Sequence, residues 1–350
     1  MERLKCLDGL RGVLAVYVML SHMAPFAVFP PWLASLLSHG GAAVDVFFIL
    51  SGLVIVRSLE GLDYQVRPFL MARATRIFPV FLAMFAMAVA VQPVRTGFER
   101  MPWIGADSPA FSIWSQGWPR AWAAEIAAHL TMTHGMFPNA VLPDAWVSFL
   151  GAAWSLSTEW QFYVCALLLG RRAWWVLLGV AVAGVVWGAL TPEAWHFSRA
   201  FLPNKAEYFV LGMVSAGGGR RYVLALGAVL ALGWWQGGLG KLAPPLVWAV
   251  CLGAESRSWC LSWVLRSRPA QWLGGLSYCL YLANEPVQKV LGVGLSALVG
   301  GDGWWFTVFW VPGALGVPIL VAMALRRWIE VPALAWGRRG VYTRGHENSR

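Results

Sequence analysis

Arg11 and His22 lie eleven residues apart on one apolar stretch, LDGLRGVLAVYVMLSHM. Ionisable residues are costly inside a membrane helix, so each is a functional candidate by default. At 1.5 Å per residue the two are separated by roughly 16 Å along a helix. That spacing sets Arg11 at one membrane face and His22, a titratable base, near the midplane. The competing reading makes His22 a buried histidine bonded to backbone at a kinked helix end, with Ser21 before it and Pro25 beyond it.

Further candidates recur along the chain. Asp45 and Ser51 belong to VDVFFILSG. A carboxylate can orient a histidine and stabilise its protonated form, as in nucleophile–base–orienter triads. Asp45 reads equally as an interfacial residue or helix cap, and Ser51-Gly52 as a small-residue packing surface. Arg73 and Arg76 of RATRIFP share a helical face. Two guanidiniums there form a phosphate clamp that Arg11 can join, or else anchor the helix at the inner leaflet. In WSLSTEWQFY, Ser155, Glu159 and Tyr163 repeat at i, i+4 and i+8. A carboxylate at mid-depth must find a partner or become neutral. His22 or an arginine is the expected partner, against a purely structural ion pair. Asn284, in LSYCLYLANEP, adds another deep polar group, or forms a packing seam with the kink at Pro286.

The elements that must position these groups are apolar helices. Of 350 residues, 58% are hydrophobic and 13% charged, with mean hydropathy +0.59. Soluble domains carry about 25% charged residues, so this composition points to lipid. Ten apolar stretches can be drawn, at 12–29, 42–56, 77–91, 147–169, 173–190, 207–216, 222–235, 245–261, 273–299 and 304–325. The fold class expected is all-α, a polytopic bundle of about ten transmembrane helices. With the N-terminus cytoplasmic, twenty of the 27 Lys and Arg fall in inner segments and six in outer ones, with Lys289 left inside a span. This positive-inside bias gives both termini to the cytoplasm. It also accounts for the net charge of +10 as a topology signal, so nucleic acid is not expected as a partner, whereas membrane lipids are. The N-terminal stretch lacks a small-residue cleavage site and reads as a retained span.

Most of the 23 Trp suit headgroup anchoring, while Trp103, Trp114, Trp118 and Trp122 could stack on an acceptor. Cys6, Cys165, Cys251, Cys260 and Cys279 show no metal or disulfide spacing. Residues 93–146 form the longest polar segment, on the outer side, with a helix-compatible middle at 120–130. Its His129, His134 and scattered carboxylates read as a solvated surface without metal-ligand spacing. Residues 1–337 are expected to form one transmembrane domain, and 338–350 a basic, disordered cytoplasmic tail.

Taken together, LDGLRG…H, VDVFFILSG, RATRIFP, WSLSTEWQFY, LSYCLYLANEP and IEVP, in this order from Leu7 to Pro332, resemble the acyltransferase-3 family of integral-membrane O-acyltransferases. The resemblance implies a ten-helix bundle in the plasma membrane, the inner membrane of a bacterium. It implies transfer of an acyl group, commonly acetyl, from cytoplasmic acyl-CoA to a hydroxyl of a carbohydrate or glycolipid, with no metal. By the same resemblance His22 is the catalytic residue, and Arg11, Arg73 and Arg76 handle the CoA donor. Two departures matter. Asn284 stands where relatives often carry His, and Glu159-Trp160 stands where they carry an acidic pair, which gives Glu159 more weight.

The mechanism expected is general-base removal of the acceptor proton by His22, with Asp45 or Glu159 orienting the ring. Ser51, Ser155, Tyr163 and Asn284 are candidates for the substrate site. An acyl-enzyme on His22 or Ser51 is the other route. Alternatives for the activity are acylation of a small secondary metabolite, such as a macrolide sugar, or a proton-coupled transporter. The arginine clamp favours the enzyme, because proton relay needs no phosphate site.

Overall fold

The computed structural model describes residues 4–94, 96–114, 117–237, 239–256 and 259–342. Arg3, Arg95, Arg257, Arg344 and Arg350, counted in the charge bias, lie outside them. Among the described residues regular structure is helical, and ten helices overlap the ten apolar stretches. They are α1 Lys5–Met23, α2 Gly40–Gly61, α3 Val66–Val91, α4 Trp154–Leu169, α5 Ala173–Leu190, α6 Ala206–Ser215, α7 Gly219–Gly237, α8 Leu239–Ser256, α9 Arg268–Val299 and α10 Gly303–Leu325. An eleventh, α11 Val331–Tyr342, follows them. Among the described residues five segments are long and apolar enough to cross a membrane: Lys5–Phe26, Pro31–Gly61, Val66–Val91, Gly151–Leu190 and Gly303–Arg339. α6, with 10 residues, spans only roughly 15 Å. α9 is 32 residues long, but its buried Asn284, Glu285, Gln288 and Lys289 make it polar.

Glycines set the closest helix crossings. A Cβ on Gly274 would fall 2.1 Å from the Asp8 carbonyl oxygen, so α1 and α9 touch backbone to backbone. A Cβ on Gly212 would fall 1.8 Å from the Ile49 carbonyl oxygen, which fixes α6 against α2 beside Gly52. Small residues permit this approach where side-chain burial in lipid offers little drive for association. α1 and α9 run parallel: Gln271 donates to the Lys5 carbonyl near their starts, and Gln288 to that of Met19 further along. α2 runs against α1, because Gly40 at its start packs on Ser21 near the end of α1.

The polar segment 93–146 packs more tightly than its composition suggests. Trp114 is fully buried, stacked on Phe26 with centroids 3.7 Å apart and edge-on to Trp310. Trp103 donates to the Phe26 carbonyl. These two tryptophans therefore bind the segment to the turn that follows α1 and to α10, while Trp118 and Trp122 remain exposed. The expected solvated histidines are also corrected. His129, on the helix Trp122–Leu130, and His134 are 0% and 1% exposed, stacked 4.0 Å apart and parallel within 1°.

At the other end, the chain stays helical past Pro332. One π turn, Arg326–Glu330, joins α10 to α11, and helix continues to Tyr342. The first residues assigned to the basic tail are thus helical, and the remainder of the tail lies outside the described residues. Single π turns inside helices are frequent at functional sites. This one delivers buried Glu330 to α3.

Candidate active site

Helices α1, α2, α3, α4 and α9 surround a cavity of about 250 Å³. Seven of the ten residues singled out from the sequence line it: Arg11, Ser51, Arg73, Arg76, Ser155, Glu159 and Tyr163. Three arginines face one carboxylate in this lining, so the space is suited to an anion.

Each arginine of the pair has part of its hydrogen-bonding capacity committed. Arg73 donates from Nη2 to Ser58 Oγ at 2.9 Å and lies over the rings of Phe69 and Tyr163. Its Nε is buried without a hydrogen-bond partner. Arg76 is paired with Glu330 and lies 5.4 Å from the centroid of Tyr278. Glu330 in turn accepts from Cys279 Sγ at 3.2 Å. A planar guanidinium held by a carboxylate and a ring keeps its orientation, and its remaining N–H groups can still meet an oxyanion.

Deeper in the cavity Glu159 Oε1 accepts two hydroxyls, Ser51 Oγ at 2.6 Å and Tyr163 OH at 2.5 Å. The partner expected for Glu159 was His22 or an arginine; hydroxyls bond it instead. Ser155 Oγ and Tyr281 OH are 2.8 Å apart and line the far wall. The helix carrying Ser155 and Glu159 is pinned by Glu285, whose carboxylate accepts from the N–H groups of Gly151 and Ala152 at 3.2 and 2.9 Å. A negative charge at a helix N-terminus is favoured by the helix dipole and by its unpaired amides.

His22 does not line the cavity; it stands beside it. Its Nδ1 lies 2.6 Å from Asn284 Oδ1. Asn284 Nδ2 donates to the carbonyls of Leu280 and Tyr281, so Oδ1 is the atom turned to the ring. An amide oxygen accepts only, so Nδ1 carries the proton and Nε2 keeps the lone pair. Through Tyr281 the His22–Asn284 pair is continuous with the cavity wall. The orienting group is therefore Asn284, the residue that departs from the family pattern, and neither carboxylate proposed for that task reaches the ring.

Asp45 is placed elsewhere. It accepts from Lys205 Nζ at 2.6 Å, both side chains being less than a tenth exposed. Lys205 also lies 5.9 Å from the ring centroid of Trp154. This ion pair ties α2 to the start of α6 and removes Asp45 from the site. The sequence reading counted Lys205 only as an outer charge, and gave no role to Tyr281, Glu285 or Glu330. Their signal was their position inside the quoted motifs. Among the described residues no group of three His, Cys, Asp or Glu is placed to hold a metal.

A family model described as an acyltransferase domain matches residues 4–327. The chain belongs to the acyltransferase-3 family. It is similar to "Acyltransferase MdmB" of Streptomyces mycarofaciens, 26% identical over 286 residues, which cover 72% of this chain and 63% of that protein. It is also similar to "Protein 2 in picA locus" of Rhizobium radiobacter, 34% identical over 93 residues, 25% of this chain and 46% of that one. The chain thus spans less than two thirds of either relative's length. No solved structure matches. Family membership and the apolar helices together make this chain an integral membrane protein.

Proposed function

We propose that this acyltransferase takes an acyl group, acetyl in the first instance, from cytoplasmic acyl-CoA and passes it to a hydroxyl of a cell-envelope carbohydrate or glycolipid. The observation that carries this reading is the arginine-lined cavity ending beside a histidine whose tautomer is fixed for base catalysis. Ten spans with both termini cytoplasmic put Arg11, Arg73 and Arg76 at the inner leaflet, where CoA is available. The cell-envelope acceptor then meets His22 from the outer half of the bundle.

In this mechanism His22 Nε2 takes the proton of the acceptor hydroxyl as its oxygen attacks the thioester carbonyl. The acyl C–S bond breaks, and the leaving thiolate recovers that proton from the imidazolium. General-base help of this kind contributes about 10²–10⁴ in rate. Asn284 holds the ring, while Glu159 fixes the hydroxyls of Ser51 and Tyr163 across the route of the acyl group. The Ser51–Glu159 hydrogen bond favours one second reading, an acyl-enzyme on Ser51. A macrolide-type acceptor is the alternative substrate class.

The test is turnover of acetyl-CoA by the purified full chain in detergent, followed as hydrolysis or exchange. Wild type turns over and His22→Ala does not, although it still inserts. Equal activity of the two removes His22 from the mechanism. Loss of a trapped acyl-protein on Ser51→Ala identifies the covalent route, and binding without turnover favours transport.

A further inference from the structure

Arg199, between α5 and α6, is a cation that the mechanism does not use. It lies 5.0 Å from the ring centroid of Trp146 and 5.7 Å from that of Trp154, and makes no hydrogen bond or ion pair among the described residues. The second cation over Trp154, Lys205, is committed to Asp45. Arg199 is instead exposed and keeps its N–H groups open to a ligand. Its position ties it to the reaction cavity. A Cβ on Gly41 would fall 3.9 Å from Arg199 Nη1, while Gly40, one residue earlier, packs on Ser21, the neighbour of His22. Val44, one turn further along α2, lines the cavity. The charge of Arg199 also reaches the hydroxyl of Tyr281 in the cavity wall. In the topology proposed above this is the outer end, from which the acceptor comes. Trp146 is half-buried and meets no other ring among the described residues. Two rings hold the guanidinium in place, and its fork matches carboxylate and phosphate. The indole beside it offers a large apolar face. A sugar ring with an anionic substituent satisfies both, its C–H face on the indole and its anionic oxygens on the fork.

We propose that Arg199 and Trp146 form an acceptor subsite that selects an acidic carbohydrate, one bearing a carboxylate or a phosphate. The inference rests on the carbohydrate-acceptor reading above and narrows that acceptor by its charge. Trp154, buried at the start of α4, holds the guanidinium beside the wall that carries Ser155. The anion stays outside the cavity, and a hydroxyl of the same saccharide is left to reach inward to His22. A neutral saccharide meets the same indole without the charged contact and binds more weakly.

Saturation-transfer NMR on the purified full chain in neutral detergent, which reads weak saccharide binding, tests the assignment. The probes are cellobiouronic acid against cellobiose, and glucose 1-phosphate against glucose. Wild type is expected to bind the acidic member of at least one pair about 10-fold more tightly than its neutral partner. That preference should shrink as salt is raised. The pair with the larger preference names the anion, carboxylate or phosphate. Arg199→Ala abolishes the preference, and Arg199→Lys, which keeps the charge without the fork, retains part of it. Trp146→Ala weakens acidic and neutral probes alike, and Trp146→Phe recovers part of the loss. Arg199 is exposed, so its replacement does not threaten the core, and thermal unfolding checks both positions. Equal affinity of wild type for the acidic and neutral members of both pairs, or a preference that survives in Arg199→Ala, overturns the proposal. Wild type that shows the preference but consumes no acetyl-CoA would count against the acyl-transfer reading and leave the subsite standing.

Discussion

Replacing Asn284 by leucine removes the acceptor that keeps the His22 proton on Nδ1, 2.6 Å away. The variant leaves a buried N–H unpaired, at a cost of about 1–3 kcal/mol. It also lets the ring turn or adopt the other tautomer, which withdraws the lone pair from Nε2. If that cost falls on the transition state, the rate drops roughly 5- to 150-fold, since 1.36 kcal/mol is about tenfold. The loss must stay below that of His22→Ala, which forfeits the whole base contribution of about 10²–10⁴. Asn284→Asp retains an acceptor and should recover most of the rate. The assay is initial-rate turnover of acetyl-CoA by protein purified in detergent. The fall is expected in kcat, with KM for the donor little changed, because His22 does not line the cavity that contains the arginines. An unchanged rate in Asn284→Leu would refute the tautomer argument. Equal inactivity of the leucine and aspartate variants, with unfolding temperatures intact, would do the same.

Other consequences follow from the packing. Lys205→Met strands Asp45 as a buried unpaired charge and should destabilise the fold by about 3–5 kcal/mol; adding Asp45→Asn should restore most of it in thermal unfolding. Gly212→Ala presses a Cβ into the Ile49 carbonyl, for a cost of about 1–3 kcal/mol, which its unfolding midpoint would register. The His129–His134 stack, outside the candidate spans, predicts acid sensitivity. Burial holds His129 down to about 4 from the ordinary imidazole value of 6.5, and pushes His134 down as well. The unfolded chain therefore takes up protons first, so stability is full above pH 6.5 and falls as pH drops toward 4. For His129 alone the loss is about 3 kcal/mol at 1.36 kcal/mol per unit. Buried Glu125, whose carboxyl is pushed up by desolvation, offsets part of this. Unfolding midpoints between pH 7 and 4.5 should drop in wild type and drop less in His129→Phe.

Most of the helices were legible because they are apolar runs bounded by charge, and lipid enforces that pattern locally. Several chemical residues were legible for the converse reason: Arg11, Glu159 and Arg73 are expensive where they stand. Their partners were not legible. Asn284 meets His22 across 262 positions, Lys205 meets Asp45 across 160, and Glu330 meets Arg76 across 254. No periodicity in one helix encodes which polar group of another it will face. The burial of His129, His134 and Trp114 escaped for a related reason. Their segment is polar in composition, but it packs its aromatic side chains against Phe26, Phe85 and Trp310, a choice made by tertiary contact.

Mass spectrometry of surface glycans and secreted metabolites from cells lacking the chain, restored with wild type or with His22→Ala, tests the central claim most directly. One carbohydrate-bearing species should carry an acetyl-sized increment with wild type and lose it both in the deletion and with His22→Ala. Identical profiles in all three, from cells in which both proteins are inserted in the membrane, would contradict it.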